Sequence, residues 1–135
     1  MNYLVDILTP DKVVATGIEA KSIKVETIRG EINILPDHTH LITSLFTGLL
    51  NVYDASGKNH FFTVSKGICK VLGNKITILS SDSLVPRDVD SISLIEEKNS
   101  LLKTLEKTDL MSDERINSMH ERLDYIEAAL KLEKL

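Results

Sequence analysis

The stretch Gly30-Glu31-Ile32-Asn33-Ile34-Leu35-Pro36-Asp37-His38-Thr39-His40-Leu41 contains a turn, a short apolar strand, a proline-fixed loop and two imidazoles. The simplest interpretation is a corner between two strands of a β domain, because Pro36 fixes the backbone of the loop. The alternative is a functional site that is catalytic, metal-binding or a docking surface. The segments on either side of this stretch decide between these interpretations.

The surrounding segments have the sequence pattern of an antiparallel β-sandwich that spans residues 1–86. In residues 22–27, Ile23 and Val25 share one face and polar side chains share the other, which is typical of a half-buried strand. Residues 54–58 and 73–75 have the composition of hairpin turns, and apolar segments flank both. Such turn signals recur about every 8–12 residues, which is the spacing expected of a sandwich or barrel.

The composition changes near Pro86. All six glycines and all three prolines lie at or before that residue. Residues 88–135 hold seven basic and twelve acidic side chains and contain no helix breaker. We therefore expect a second unit at residues 87–135, which is an antiparallel two-helix hairpin.

The two predicted helices each carry an apolar face at helical spacing. Asp88 or Asp90 is the expected N-cap of the first helix, and Ser112 is the expected N-cap of the second. The first face consists of Ile92, Ile95, Asn99, Leu102 and Leu105. The second is a narrow stripe that predicts pairing with one partner helix. It consists of Ile116, Met119, Leu123, Ile126 and Leu130. Because the connection is only about five residues long, the helices are expected to fold back on each other.

The composition also excludes several classes of function. The net charge of −4 argues against a nucleic-acid-binding surface. The single cysteine, Cys69, excludes an internal disulfide and a multi-cysteine metal site, and its apolar surroundings predict a buried structural thiol. Residues 1–6 lack the basic start of a signal peptide, and no apolar segment approaches the ~20 residues of a membrane span. We therefore expect no direct insertion into a membrane.

The chain contains no common catalytic or nucleotide-binding motif. His38 and His40 stand at i and i+2, and together with Glu31 or Asp37 they offer a weak set of metal ligands. Glu31 and His38 also form a candidate acid–base pair, although no nucleophile or oxyanion donor accompanies them. The third interpretation is a docking surface, since polar side chains on a rigid β scaffold suit recognition by short contacts.

The same stretch also matches a known pattern. Residues 30–38 read Gly-Glu-Ile-Asn-Ile-Leu-Pro-Asp-His and are followed by Leu-Ile-Thr and by Gly48. This resembles the epsilon subunit of F-type ATP synthases, whose pattern is Gly-Glu-x-Gly-Ile-Leu-Pro-x-His, then a Leu-Thr run and a Gly. The turn at Thr9 and Pro10 is similar as well, and so are residues 64–68 and 74–79. The resemblance covers nearly the whole chain. Asn33 replaces the second Gly of the pattern, and His40 stands where Pro is usual.

The resemblance implies a non-catalytic subunit of a rotary shaft without a resident cofactor. In this family the sandwich binds the gamma subunit and sits on the ring of c subunits. Carried over, Glu31, Asp37 and His38 would contact the polar loops of the c ring. The resemblance also implies a peripheral position on the cytoplasmic face of a bacterial inner membrane.

The resemblance further implies a regulatory role for the hairpin. In bacterial members an extended hairpin inhibits ATP hydrolysis, partly through basic side chains that meet acidic groups of the alpha and beta catalytic subunits. The basic side chains here are Lys98, Lys103, Lys107, Arg115 and Arg122. Some members bind ATP through an (Ile/Leu)-Asp-x-x-Arg-Ala motif. In residues 89–94 the Asp of this motif is present as Asp90, but Ser93 and Leu94 replace its Arg and Ala. Without the guanidinium we expect weak ATP binding or none.

Three classes of function explain different parts of this sequence. A rotary-shaft subunit of a proton-translocating ATP synthase explains the two-part composition, the motif and the lack of catalytic residues. A free-standing ligand-binding β-sandwich module explains the strands but not the helical stripe. A small metalloenzyme that uses His38 and His40 explains only those two residues.

Overall fold

The computed structural model describes residues 2–27, 29–34, 40–107 and 109–135. Over these residues the chain forms eight strands, a short 3-10 turn and two helices. In chain order they are β1 (Tyr3–Leu8), β2 (Val13–Thr27), β3 (Gly30–Ile34), β4 (Leu41–Leu45), β5 (Gly48–Asp54), β6 (Asn59–Val64), β7 (Gly67–Leu72), β8 (Lys75–Ser80), the 3-10 turn (Pro86–Asp88), α1 (Ser91–Leu105) and α2 (Asp113–Glu133).

The long strand β2 joins the two layers of the sandwich. The strand order is β4-β7-β8-β1-β2-β5-β6, and β3 also pairs with β2. The first half of β2 pairs with β1, and its second half pairs with β3 and β5. The changeover lies at Ala20, which faces Tyr3 of β1 and Asp54 of β5. The sandwich with two following helices that the sequence predicts is therefore confirmed.

One strand pair departs from the purely antiparallel prediction, because β1 and β8 run parallel. The other pairs are antiparallel. No hairpin turn links β1 to β8, so their relative direction is not set by a tight connection. The two predicted hairpins, β5–β6 and β7–β8, are both present.

The core of the sandwich is aliphatic. It is formed by the inward-facing residues of both layers, which include Val5, Ile7, Ile23, Val25, Leu50, Val52, Val64, Ile76 and Ile78. Cys69 lies among them and is fully buried, as the sequence predicts. Burial raises the pKa of the Cys69 thiol to about 11.

Gly48 permits the close approach of β5 to β2. A Cβ atom at this position would lie 1.9 Å from the carbonyl oxygen of Glu26. Only a residue without a side chain fits at this separation. This explains why a glycine stands at position 48, shortly after residues 30–41.

Both helices begin at the capping residues that the sequence predicts. The side chain of Asp90 accepts a hydrogen bond from the backbone N–H of Ser93, at 3.2 Å. Ser112 accepts one from the backbone N–H of Arg115, also at 3.2 Å. Each cap satisfies a donor that the first helical turn would otherwise leave free.

The second helix lies between the sandwich and the first helix. Tyr125 of α2 contacts Thr63 of β6 through its hydroxyl, at 2.8 Å. On the other side, Leu94 of α1 packs in one cluster with Ile126 and Ala129. The predicted pairing of α2 with one partner helix is therefore only part of its packing, because α2 also buries a second face against the sheet. That face adds Tyr125, Ala128 and Leu132 to the predicted stripe.

The apolar face predicted for α1 was wrong. Ile92 is 72% exposed, and Ile95 and Leu102 are exposed as well. The buried residue of α1 is Leu94, and Leu101 packs beside it. Both sets of residues have helical spacing, so periodicity alone could not show which one would meet α2.

Candidate functional site

Glu31 lies in β3, directly opposite Glu26 of β2. The ammonium of Lys24 bridges the two carboxylates, at 3.2 Å from Glu31 and 3.3 Å from Glu26. The hydrogen bonds to Glu31 and then to Glu26 raise the pKa of Lys24. All three groups are partly exposed, so they form a polar surface that a partner can reach. Its carboxylates outnumber its ammonium two to one.

The remainder of the predicted docking loop is only partly described. Asp37 and His38 lie outside the residues that the structure describes, and His40 is exposed. The metal-ligand set and the Glu31–His38 acid–base pair therefore stay untested. Within residues 2–27, 29–34, 40–107 and 109–135, no group of three or more His, Cys, Asp or Glu side chains could hold a metal ion.

Asp90 is occupied as a helix cap. One carboxylate oxygen accepts from the backbone N–H of Ser93 and the other from its hydroxyl, at 2.9 Å. These bonds lower the pKa of Asp90, the hydroxyl contributing most. Ser93 is the residue that stands in place of the arginine of the nucleotide motif. Both residues therefore serve the start of α1.

Two of the five basic side chains singled out in the hairpin already have acidic partners. The guanidinium of Arg122 binds both carboxylate oxygens of Glu97, with Nη2 at 2.9 Å, and lies over the ring of Tyr125. Lys98 stands 3.9 Å from Glu127. The other three are exposed and have no acidic partner within the described part of the chain; they are Lys103, Lys107 and Arg115.

The sequence did not single out the outer face of the sheet β4-β7-β8-β1, which carries several exposed apolar side chains that no other described residue covers. We call it the apolar sheet face. Its members point away from the core on the side opposite to α2, and they are Leu4, Ile42, Ile68, Leu72 and Leu79. A concavity of about 680 Å³ lies at one end of this face, between Pro10, Phe46 and Leu79.

The signal for this face was present in the sequence. In residues 68–72 of β7 the side chains on both faces of the strand are apolar, except for Lys70. A strand that is apolar on both sides is typically covered on both sides. In the described residues, α2 covers only the other sheet of the sandwich.

The family to which the chain belongs is shown by its sequence. Residues 2–85 match the family described as ATP synthase, Delta/Epsilon chain, beta-sandwich domain. The chain belongs to this ATP synthase delta/epsilon family. The resemblance inferred from residues 30–48 is thereby confirmed. The match covers the sandwich and ends just before the 3-10 turn.

Solved structures extend the likeness of this delta/epsilon-family chain to its helices. One is a chain of the Euglena gracilis mitochondrial ATP synthase, in a structure of OSCP/F1/c-ring in rotational state 1, with a TM-score of 0.75 and 18% identity. The match covers 96% of this chain and 79% of the Euglena chain. A second is a chain of the Tetrahymena thermophila mitochondrial ATP synthase, in a structure of the central stalk and c ring. Its TM-score is 0.56 at 15% identity, over 98% of this chain and 97% of the other.

No helix in the described part of this delta/epsilon-family chain combines the length and the hydropathy that a membrane crossing requires.

Proposed function

We propose that this delta/epsilon-family chain is a non-catalytic central-stalk subunit of a proton-translocating ATP synthase, in which it couples the gamma shaft to the c ring. The family match and the similarity to chains from F1/c-ring and central stalk/c-ring structures support this proposal. The observation that carries it is the apolar sheet face, which stays uncovered while the opposite sheet is covered by α2.

The gamma subunit is the partner that we assign to the apolar sheet face. Exposed apolar side chains gathered on one face of a soluble protein mark an interaction site, and here Ile68 and Leu79 are direct cross-strand neighbours. Ile42 is 72% exposed in the edge strand β4, and Leu72 is 55% exposed at the end of β7. Lys70, Lys75 and Asp6 lie among the apolar residues and give the interface polar contacts.

The c ring is the partner that we assign to Glu31, Asp37 and His38. Glu31 supports this because its carboxylate is exposed and is positioned by Lys24. Two carboxylates that share one ammonium retain unused acceptor capacity for donors on a neighbouring loop. The proposed contacts with the polar loops of the c ring lie in water, outside the lipid bilayer.

The hairpin at residues 87–135 is the regulatory unit, and residues 1–86 form the docking unit. In the docked arrangement, Arg122 is held by Glu97, and Lys98 stands near Glu127. An extended hairpin would carry these two cations, together with Lys103, Lys107 and Arg115, towards the alpha and beta catalytic subunits. The net charge of residues 88–135 is negative, so we expect mild inhibition of ATP hydrolysis.

The chain itself turns over no substrate and holds no cofactor in this proposal. The place of Ser93 supports the expectation of weak or no ATP binding, because the residue in the arginine position carries no charge for a triphosphate and instead donates to Asp90. The subunit is peripheral to the membrane, and we place it on the cytoplasmic face of a bacterial inner membrane.

Co-purification with the gamma subunit tests this function. The wild-type chain is expected to form a stable complex, and Ile68→Asp combined with Leu79→Asp to lose it, because two charges would be buried without partners. The matched control is Ile92→Asp with Ile95→Asp, which adds the same charges to the exposed face of α1. A complex that survives the first pair, or forms with neither wild type nor control, would contradict the proposal.

A further inference from the structure

The docked helix α2 and the sandwich enclose a cleft of about 320 Å³. It lies beside the turn between β2 and β3 and the start of β5. Four carboxylates line it, from Glu26 and Glu31 on the sandwich and from Asp124 and Glu127 on α2. Lys131 is the cationic residue in its lining. The surface on which α2 rests is therefore acidic on both sides.

Most acidic side chains of this region have a cation beside them. Lys24 bridges Glu26 and Glu31. Glu127 stands near Lys98 of α1, and Glu121 contacts Lys66 just after β6. Thus the hairpin and the sandwich supply a positive partner for each of these four groups.

Asp124 differs from these neighbours. Among the described residues, it has neither a salt bridge nor a hydrogen-bond donor for its carboxylate, although it is half-buried in the cleft. Burial, followed by the charges of Glu127 and Glu121, raises its pKa, and His120 opposes this only in part. An ionised carboxylate in such a place opposes the docked arrangement, since release returns it to water.

We propose that Asp124 is a release element of the hairpin: its unpaired carboxylate keeps the docking of α2 on the sandwich weak, so that a modest competing interaction can free the helices. The proposal rests on the regulatory role proposed for residues 87–135. The burial of Tyr125, Ala128 and Leu132 holds α2 in place, together with the contacts of Tyr125 with Thr63 and of Glu121 with Lys66, and the carboxylate of Asp124 opposes them.

The proposal has a pH dependence of defined sign. The groups that face Asp124 are His120, Glu121, Glu127 and Lys131 on α2, Glu26, Glu31 and their partner Lys24 on the sandwich, and Lys98 on α1. Because docking raises the pKa of Asp124, docking is strongest below the ordinary aspartate value of about 4. It weakens as the pH rises through the raised value, where the docked carboxylate loses its proton.

Labelling of an introduced thiol measures release directly. Leu132 is fully buried and lies two helical turns after Tyr125, on the same side of α2, so the thiol of Leu132→Cys reacts only when α2 leaves the sheet. Cys69 serves as the internal reference for global unfolding, because it is buried in the core with a pKa of about 11. The full-length chain is treated with a thiol reagent, and rates are divided by that of a free thiol at the same pH.

In this background we expect Asp124→Asn to slow labelling severalfold at pH 7, since the amide removes the ionised carboxylate that opposes docking. Asp124→Glu keeps the charge and is expected to retain fast labelling. Asp109→Asn, in the loop between the helices, removes the same charge elsewhere and is expected to change nothing. Below pH 4 the difference between the parent and Asp124→Asn should disappear.

Unchanged or faster labelling of Asp124→Asn, or slow labelling of Asp124→Glu, would overturn the proposal. If the thiol introduced by Leu132→Cys reacted no faster than Cys69 in the parent, the hairpin would not be released separately from the sandwich. The release element and the regulatory hairpin would then both be wrong. Co-purification with the gamma subunit would still decide subunit membership independently.

Discussion

The hydroxyl of Tyr125 in α2 lies 2.8 Å from the hydroxyl of Thr63 in β6, and both residues are buried. The hydroxyl oxygen of Thr63 also accepts the backbone N–H of Leu84, at 2.8 Å. One threonine therefore holds the segment before the hairpin and the second helix at the same point on the sheet. Burial raises the pKa of Tyr125 to about 12, so its hydroxyl stays protonated at physiological pH and the hydrogen bond to Thr63 is kept.

Thr63→Val should weaken docking more than Tyr125→Phe. The phenylalanine variant loses one buried hydrogen bond, with an expected cost of about 1 kcal/mol, and the bond from Leu84 to Thr63 remains. The valine variant leaves both the Tyr125 hydroxyl and the Leu84 N–H without this partner, which costs about 1–3 kcal/mol. Hydrogen exchange of the α2 amides measures the difference. Equal protection in the two variants would contradict the shared role of Thr63.

Gly48→Ala should destabilise the sandwich. Its Cβ would lie 1.9 Å from the Glu26 carbonyl oxygen, so β5 and β2 must move apart. We expect a loss of about 1–3 kcal/mol in the free energy of unfolding, measured by urea denaturation. Gly17→Ala is the comparison, because no atom lies within 4 Å of its Cβ position and only the strain of its φ of 66° is added.

Acid should weaken the sandwich partly through Asp6. Its carboxylate accepts the backbone N–H of Gly17 at 2.8 Å and the hydroxyl of Thr16 at 3.0 Å, and it pairs with Lys75. These contacts lower the pKa of Asp6, the bond from Gly17 contributing most. Their contribution to stability is therefore complete above the ordinary aspartate value of about 4 and is lost as the pH falls through the lowered value. Asp6→Asn should flatten the dependence of the urea midpoint on pH below the ordinary aspartate value of about 4.

Arg122→Gln should loosen the helical pair more than Lys98→Gln does. The guanidinium of Arg122 binds Glu97 through two nitrogens, whereas Lys98 stands 3.9 Å from Glu127. Because the first pair is about 40% exposed, we expect a cost of only about 0.5–1 kcal/mol for it and about zero for the second. Thermal unfolding followed by helical circular dichroism compares them. Arg122→Lys should not restore the loss, since lysine cannot make the two-nitrogen contact.

The local features of this fold could be predicted from the sequence because local rules govern them. The helix caps at Asp90 and Ser112 follow from side chains that reach the first turn of their own helix. The hairpin turns before Asn59 and Lys75 follow from turn residues between apolar strands. Burial of Cys69 follows from its apolar neighbours in the strand.

Features that depend on distant partners could not be predicted in the same way. Leu94 and Ile95 are equally apolar neighbours on α1, and only the position of α2 decides which of them is buried. Asp124 is left unpaired because Lys66 and Lys98 pair with other carboxylates, and those pairings depend on how the helices and the sheet pack. The parallel pairing of β1 with β8 joins strands about seventy residues apart, for which no turn rule exists.

In the proposed position between the gamma shaft and the c ring, the fifteen residues of β2 have a mechanical consequence. The first half of the strand belongs to the sheet that bears the apolar sheet face, and the second half carries Lys24 beside Glu31. A load applied at one face therefore reaches the other along one continuous, hydrogen-bonded strand. Stiffness between the two ends of the subunit then depends on the ladders that hold β2 against β1, β3 and β5, because the φ and ψ angles of a strand without neighbours rotate easily.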